Sequence, residues 1–221
     1  MHCGAHYRLR EIALKDKPAH MIEVSSKGTV PVLILPSEDN VVTELAALER
    51  NTNPSTYRVI DQSIDIMRWA MIENPSRHLQ NATEWLTTET MSSDEINELI
   101  KQNDFEFKGH LDNYKYSDRY PENPQAHYLE QAMPFLKKLE HTLSNSPYLS
   151  GNQFRFLDAA ILPFVRQFSM VDPKQFRALT LPALQQWLAA GLESDLFISV
   201  MDKIPQWSGE SSEDRVVFGD R

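Results

Sequence analysis

Two short stretches of the chain combine residue types and spacings that could do chemistry. The first is Ser25-Ser26-Lys27-Gly28-Thr29-Val30-Pro31-Val32-Leu33. Pro31 has no N–H to give a sheet and holds the preceding residue extended, so the Val30 N–H and C=O can face outward as a free peptide edge. Such an edge pairs with an extended peptide ligand through main-chain hydrogen bonds. The same residues also read as a proline that merely begins a strand. The second stretch is Asp61-Gln62-Ser63, directly before an apolar-periodic run. The Ser63 hydroxyl can cap a helix there, and the amides left over at that end form a positive pole suited to a carboxylate. Ordinary capping accounts for the same three residues.

The remaining reactive residue types form weaker patterns. Cys3 is the single cysteine, and the seven histidines contain no His-Glu-x-x-His pair. His2, Cys3 and His6 crowd together as an adventitious metal binder at best, so no resident metal is expected. Asp112, Tyr114, Tyr116, Asp118, Arg119 and Tyr120 form a polar aromatic cluster that either lines a cleft or, at helical spacing, belongs to a core. There is no phosphate-binding glycine loop and no G-x-S-x-G elbow.

Composition narrows the partners. The chain has 221 residues and a formal charge of −9. Residues 1–75 hold 8 basic and 10 acidic residues, and the remainder 14 and 21, so neither part offers the positive field that nucleic acid or an anionic membrane demands. One cysteine excludes an intrachain disulfide scaffold and fits a reducing compartment, with the cytoplasm expected. No apolar run reaches the roughly 20 residues that span a bilayer.

The elements that must position the two stretches change character along the chain. Residues 7–14 read as a strand, residues 30–35 as a strand buried on both faces, and residues 57–60 as another short strand. Between the last two, residues 38–56 look like an insertion, helix-like over 40–50 and turn-rich after it. From Ser63 the period becomes helical. Ile64, Met67 and Met71 share a face, and Asn74-Pro75 stops the helix. Ser92 with Glu95 predicts a capping box, and Phe107, Leu111 and Tyr114 mark the next helix. Leu129, Ala132, Leu136, Leu139 and Leu143 predict a long helix bent at Pro134, and residues 156–169 a further one around Pro163. Shorter helices are expected at 181–190 and 194–203, then a polar, loose tail whose apolar anchor is residues 216–218.

Taken together, three pieces resemble the cytosolic glutathione transferases, particularly their bacterial cysteine-type and omega-like branches. They are Lys15 to Leu35 with its Ser-Lys-Gly-Thr-Val-Pro-Val-Leu segment, Asp61-Gln62-Ser63-Ile64-Asp65-Ile66-Met67-Arg68-Trp69, and Tyr148-Leu149-Ser150-Gly151 leading to Leu157-Asp158-Ala159-Ala160-Ile161-Leu162-Pro163. The resemblance implies an α+β two-domain fold: an N-terminally incomplete thioredoxin-like domain over residues 1–74, an all-helical C-terminal domain over 75–207, and a tail over 208–221. It also implies a glutathione site between the domains and a homodimer. Carried over by residue, Pro31 is the cis-proline, Val30 pairs with the cysteinyl part of glutathione, Gln62 and Ser63 hold the γ-glutamyl end, and Lys27 either approaches the glycine carboxylate or is simply a solvated lysine on a loop.

Two departures qualify the implied function. The family's catalytic Cys, Ser or Tyr precedes the segment seen here at Tyr7, and the six residues before Tyr7 leave no room for a strand, turn and helix of about 20 residues. Cys3 is not its equivalent, and the catalytic residue is therefore unknown. Arg155 stands three before Asp158, where a Ser or Thr would complete a reciprocal helix cap, and an arginine has no acceptor. The expectation is a glutathione-transferase-like protein whose intact relatives conjugate glutathione to a small electrophile or exchange mixed disulfides with it. The alternative is a non-catalytic binding or scaffold protein on the same fold.

Overall fold

The computed structural model describes residues 5, 7–36, 57–74, 82–208 and 215–217. Cys3, His2, His6, His78 and the insertion expected at 38–56 lie outside the described residues. The chain divides into two compact units, Met1–Ala82 with Asp202–Arg221, and Thr83–Met201.

In the first unit the order is β1 (Tyr7–Leu9), α1 (Ala19–Val24), β2 (Leu33–Pro36), β3 (Tyr57–Ile60), α2 (Ser63–Ile72) and finally β4 (Arg215–Val217). β2 and β3 pair antiparallel with Leu33 opposite Ile60 and Pro36 opposite Tyr57. The strand expected at 30–35 is thus shorter and shifted. It is not buried on both faces either, since Ile34 remains 38% exposed. Burial on both faces needs a layer on each side of a wide sheet, and a two-stranded antiparallel ribbon does not supply it. β1 also stops earlier than expected, at Leu9. Arg215–Val217, which overlaps the anchor expected at residues 216–218, is its partner: Tyr7 faces Val217 and Leu9 faces Arg215 across an antiparallel ladder. The β-branched pair Val216-Val217 suits a strand, and the β1 edge supplies the main-chain N–H and C=O groups for its ladder.

The second unit is helical: α3 (Ala82–Trp85), which begins at the unit boundary, α4 (Ser93–Lys101), α5 (Lys108–Lys115), α6 (Gln125–Leu143), α7 (Phe156–Val171), α8 (Pro173–Ala178), α9 (Pro182–Glu193) and α10 (Asp195–Ser199). The capping box forms as read: the Glu95 N–H donates to the Ser92 Oγ at 3.3 Å and the Ser92 N–H to a Glu95 carboxylate oxygen at 2.7 Å. α4 and α5 do not separate. They join through a π-helical stretch, Gln102–Phe107, which turns both Asn103 and Phe107 inward.

Phe107, Leu111, Ala132, Leu136, Leu139 and Ile161 are fully buried, and Phe107 stacks on Phe135 with ring centroids 4.7 Å apart. The α6 stripe is buried as expected except at Leu129, whose place is taken by Tyr128. α6 and α7 both run unbroken past a proline. Pro134 and Pro163 sit on exposed positions, where the carbonyls they free can be solvated.

Asp158 is the polar centre of this core. Its Oδ1 accepts the Leu149 N–H at 2.8 Å and the Trp187 indole N–H at 2.9 Å, and its Oδ2 accepts the Ser150 and Arg155 N–H groups at 3.2 Å each. Burial, the larger effect, pushes its carboxyl above the ordinary range, against the pull of the hydrogen bonds it accepts. Half of the reciprocal cap at α7 therefore survives. The other half cannot form, and the Arg155 guanidinium instead reaches the Glu84 carbonyl and the Glu84 carboxylate, both at 3.1 Å.

Candidate functional site

The antiparallel register of β2 and β3 decides what meets what. With Leu33 opposite Ile60, residues 30–32 enter β2 at the same end of the ribbon from which residues 61–63 leave β3. The two stretches singled out by the sequence are therefore brought together. The Val30–Pro31 bond is cis, the geometry that the resemblance implies, and Val30 is 45% exposed. Gln62 and Ser63 are exposed as well.

The start of α2 differs from the expected serine cap. Gln62, with extended backbone angles, is the N-cap and Ser63 is the first helical residue, and no side chain caps this end. The Asp65 and Ile66 N–H groups both donate to the Gln62 carbonyl, at 3.1 and 3.0 Å. The amides of Ser63 and Ile64, ahead of them, have no acceptor within the helix and are free for a ligand or water.

Asp61 ties the two stretches together. Its Oδ1 accepts from the Lys27 ammonium at 2.8 Å and its Oδ2 from the Ser25 hydroxyl at 3.3 Å. Lys27 holds the Asp61 carboxyl below the ordinary carboxylate range, and Ser25 adds to the effect. The intervening turn is closed by the Gly28 N–H on the Ser25 carbonyl, with Gly28 at φ +60°. That left-handed conformation, and the Ile22 side chain 3.1 Å from where a Cβ would stand, require glycine here. Lys27 is half exposed, so its pairing contributes position more than stability. Asp61 lies one residue before Gln62, but its pairing with residues 34 and 36 positions away left no signal in the sequence.

Beside this clamp a cleft of about 320 Å³ is lined by Arg58, Ile60, Asp61, Asp65, Arg68 and Glu73. Its cations are engaged, Arg58 with Glu73 and Arg68 with Asp65. With Asp61 and Asp65 at the mouth of a positive helix end, the local field suits a zwitterionic head better than a bare anion.

The other candidates separate. Tyr114 is buried against Phe168 with ring centroids 5.0 Å apart, so it belongs to the core. Tyr116 is flanked by Lys115 and Arg119, with the Arg119 guanidinium 4.5 Å from its ring. Among the described residues no group of three or more His, Cys, Asp and Glu side chains is arranged to hold a metal ion, and no described helix is long and apolar enough to cross a membrane.

Comparison with known proteins places this architecture. Residues 117–190 match the family described as glutathione S-transferase, C-terminal domain. No curated protein sequence matches. Among solved structures the chain is similar to a glutathione transferase from Burkholderia graminis with two glutathione molecules bound per subunit (13% identity, TM-score 0.57, covering 82% of this chain and 70% of that one). It is also similar to a glutathione transferase family member from Pseudomonas fluorescens with two glutathione bound (13%, TM-score 0.58, 82% and 74%) and to a Vibrio parahaemolyticus glutathione S-transferase (16%, TM-score 0.54, 87% and 81%). The fold is that of the glutathione transferases, two-domain α+β.

Proposed function

We propose that the protein binds glutathione on its N-terminal unit and takes part in glutathione-dependent chemistry, conjugation to a small electrophile or exchange of a mixed disulfide. The observation that supports the reading is the register of β2 and β3, which puts the entry to β2 and the uncapped start of α2 at the same end of the ribbon, on a fold whose similar structures hold glutathione. The Val30 N–H and C=O would pair with the cysteinyl part of the tripeptide beside Pro31. The free Ser63 and Ile64 amides would receive the γ-glutamyl carboxylate, with the Ser63 hydroxyl and the Gln62 amide on the same head. Asp65 suits the accompanying ammonium. Lys27 reaches a glycine carboxylate only by leaving Asp61, so its contribution to affinity should be small. The homodimer and a cytoplasmic location belong to the same reading.

Calorimetry with glutathione tests it. Binding should be weak but measurable. Ser63→Ala should lower affinity about 3- to 10-fold, the size of one lost hydrogen bond. Cys3→Ser should leave it unchanged. Absence of binding at millimolar glutathione would overturn the proposal in favour of a non-catalytic scaffold on the same fold. Turnover of a chromogenic electrophile abolished by Cys3→Ser would overturn the reading that Cys3 is not the catalytic residue.

A further inference from the structure

The loop that enters α7 receives a segment from much earlier in the chain. Tyr148 and Gly151 exchange main-chain hydrogen bonds at 3.1 Å each, and from this turn the Ser150 carbonyl accepts the Glu89 N–H at 3.2 Å. Gly151 stands at φ +109°, and a Cβ there would lie 2.9 Å from the Glu89 carboxyl carbon, so Glu89 fills the space that a side chain would take. The Glu89 carboxylate is held from two sides, accepting from the Asn152 amide at 2.6 Å and pairing with the Arg155 guanidinium at 3.9 Å. The same guanidinium grips the Glu84 carbonyl and carboxylate. The Arg155 side chain is only 9% exposed, and a cation so far from water needs its counter-charges close. Both are supplied by residues 84–89. Meanwhile no side chain caps α7, although its N-cap residue is Arg155 itself.

We infer that Arg155 has exchanged a helix cap for a tether. With Gly151, Asn152 and the Ser150 carbonyl it forms a carboxylate socket that docks residues 84–91, where the chain enters the helical unit, onto the start of α7. The occupants of the socket are Glu84 and Glu89 of the chain itself. α7 keeps its start through Asp158, whose carboxylate holds the Leu149, Ser150 and Arg155 N–H groups. The two tasks of residue 155 are therefore separable: its main chain serves α7 and its side chain serves the docked segment. This holds whatever the N-terminal unit binds.

Hydrogen exchange and urea unfolding of the full chain test it. Arg155→Ser removes the tether and supplies the acceptor that a reciprocal cap requires. The Thr87 and Glu89 amides, which donate to the Glu84 and Ser150 carbonyls, should then exchange at least roughly ten-fold faster, the size of one lost charge-assisted hydrogen bond. The amides of residues 158–171 should not accelerate. Arg155→Lys keeps the charge but loses the planar fork, so it should accelerate Glu89 less, and it serves if Arg155→Ser does not fold. In the double substitution Glu84→Gln/Glu89→Gln the guanidinium stays buried without a counter-charge. Its urea midpoint should fall, and adding Arg155→Ser should raise it again. Unchanged exchange at Thr87 and Glu89, equal acceleration throughout α7, or a triple variant no more stable than the double would each overturn the inference.

Discussion

Replacing Asp158 by asparagine tests the account of the helical core most directly. The carboxylate accepts four hydrogen bonds in two pairs, Leu149 and Trp187 on one oxygen, Ser150 and Arg155 on the other. An asparagine has one acceptor oxygen, so one pair is retained and the other faces an amide NH₂, donor against donor. Each buried donor left unpaired costs about 1–3 kcal/mol, which sets the loss at about 2–6 kcal/mol before the relief of burying a neutral group. A net loss of about 2–4 kcal/mol is expected, a large share of the roughly 5–15 kcal/mol that holds a domain together. Asp158→Ala, which strands all four donors, should cost more. Urea unfolding followed by helical circular dichroism gives the stability, and the retained pair can be identified from the Trp187 indole N–H in proton NMR. If Asp158→Asn unfolded within 0.5 kcal/mol of the unsubstituted chain, the four-donor account would be refuted.

Two further outcomes follow from single side chains. The Glu140 carboxylate accepts the Ala183 and Leu184 N–H groups at 3.2 and 2.7 Å, capping α9 from α6 where Leu181 offers no capping side chain. Glu140→Ala should therefore cost about 1–2 kcal/mol in urea unfolding, while Glu140→Gln, keeping one acceptor, should cost less. The Asp61 carboxyl is held below its ordinary range by Lys27, so the stability it adds to the first unit is present above the ordinary carboxylate pKa and is lost as pH falls through the lower folded value. Lys27→Met should reduce that acid dependence, read as the pH at which Asp61 titrates in carboxyl-selective NMR. An unshifted titration would refute the pairing.

Periodicity and chemistry legible in single residues decided much of this protein. A spacing of three and four at Ala132, Leu136, Leu139 and Leu143 can be satisfied only by a helix with that face buried, and Ser92 with Glu95 carries its own hydrogen-bond partner three residues away. The absence of an acceptor in Arg155 likewise foretold that the reciprocal cap at α7 could not close. Local patterns of this kind need no knowledge of the rest of the chain. The ordered motifs also pointed to the glutathione-transferase fold. Pairings between distant residues were decided only in the tertiary structure. A strand pattern does not name its partner, so β4 on β1 and the return of Trp207 to Arg10 and His20 were unreadable. Helical period cannot distinguish a break from the π-helical stretch at Gln102–Phe107, because both present Leu99, Asn103 and Phe107 at compatible spacings. The clamp of Ser25 and Lys27 on Asp61 joins residues more than thirty apart, and its partners are chosen by the β2–β3 register rather than by any feature of Asp61 itself.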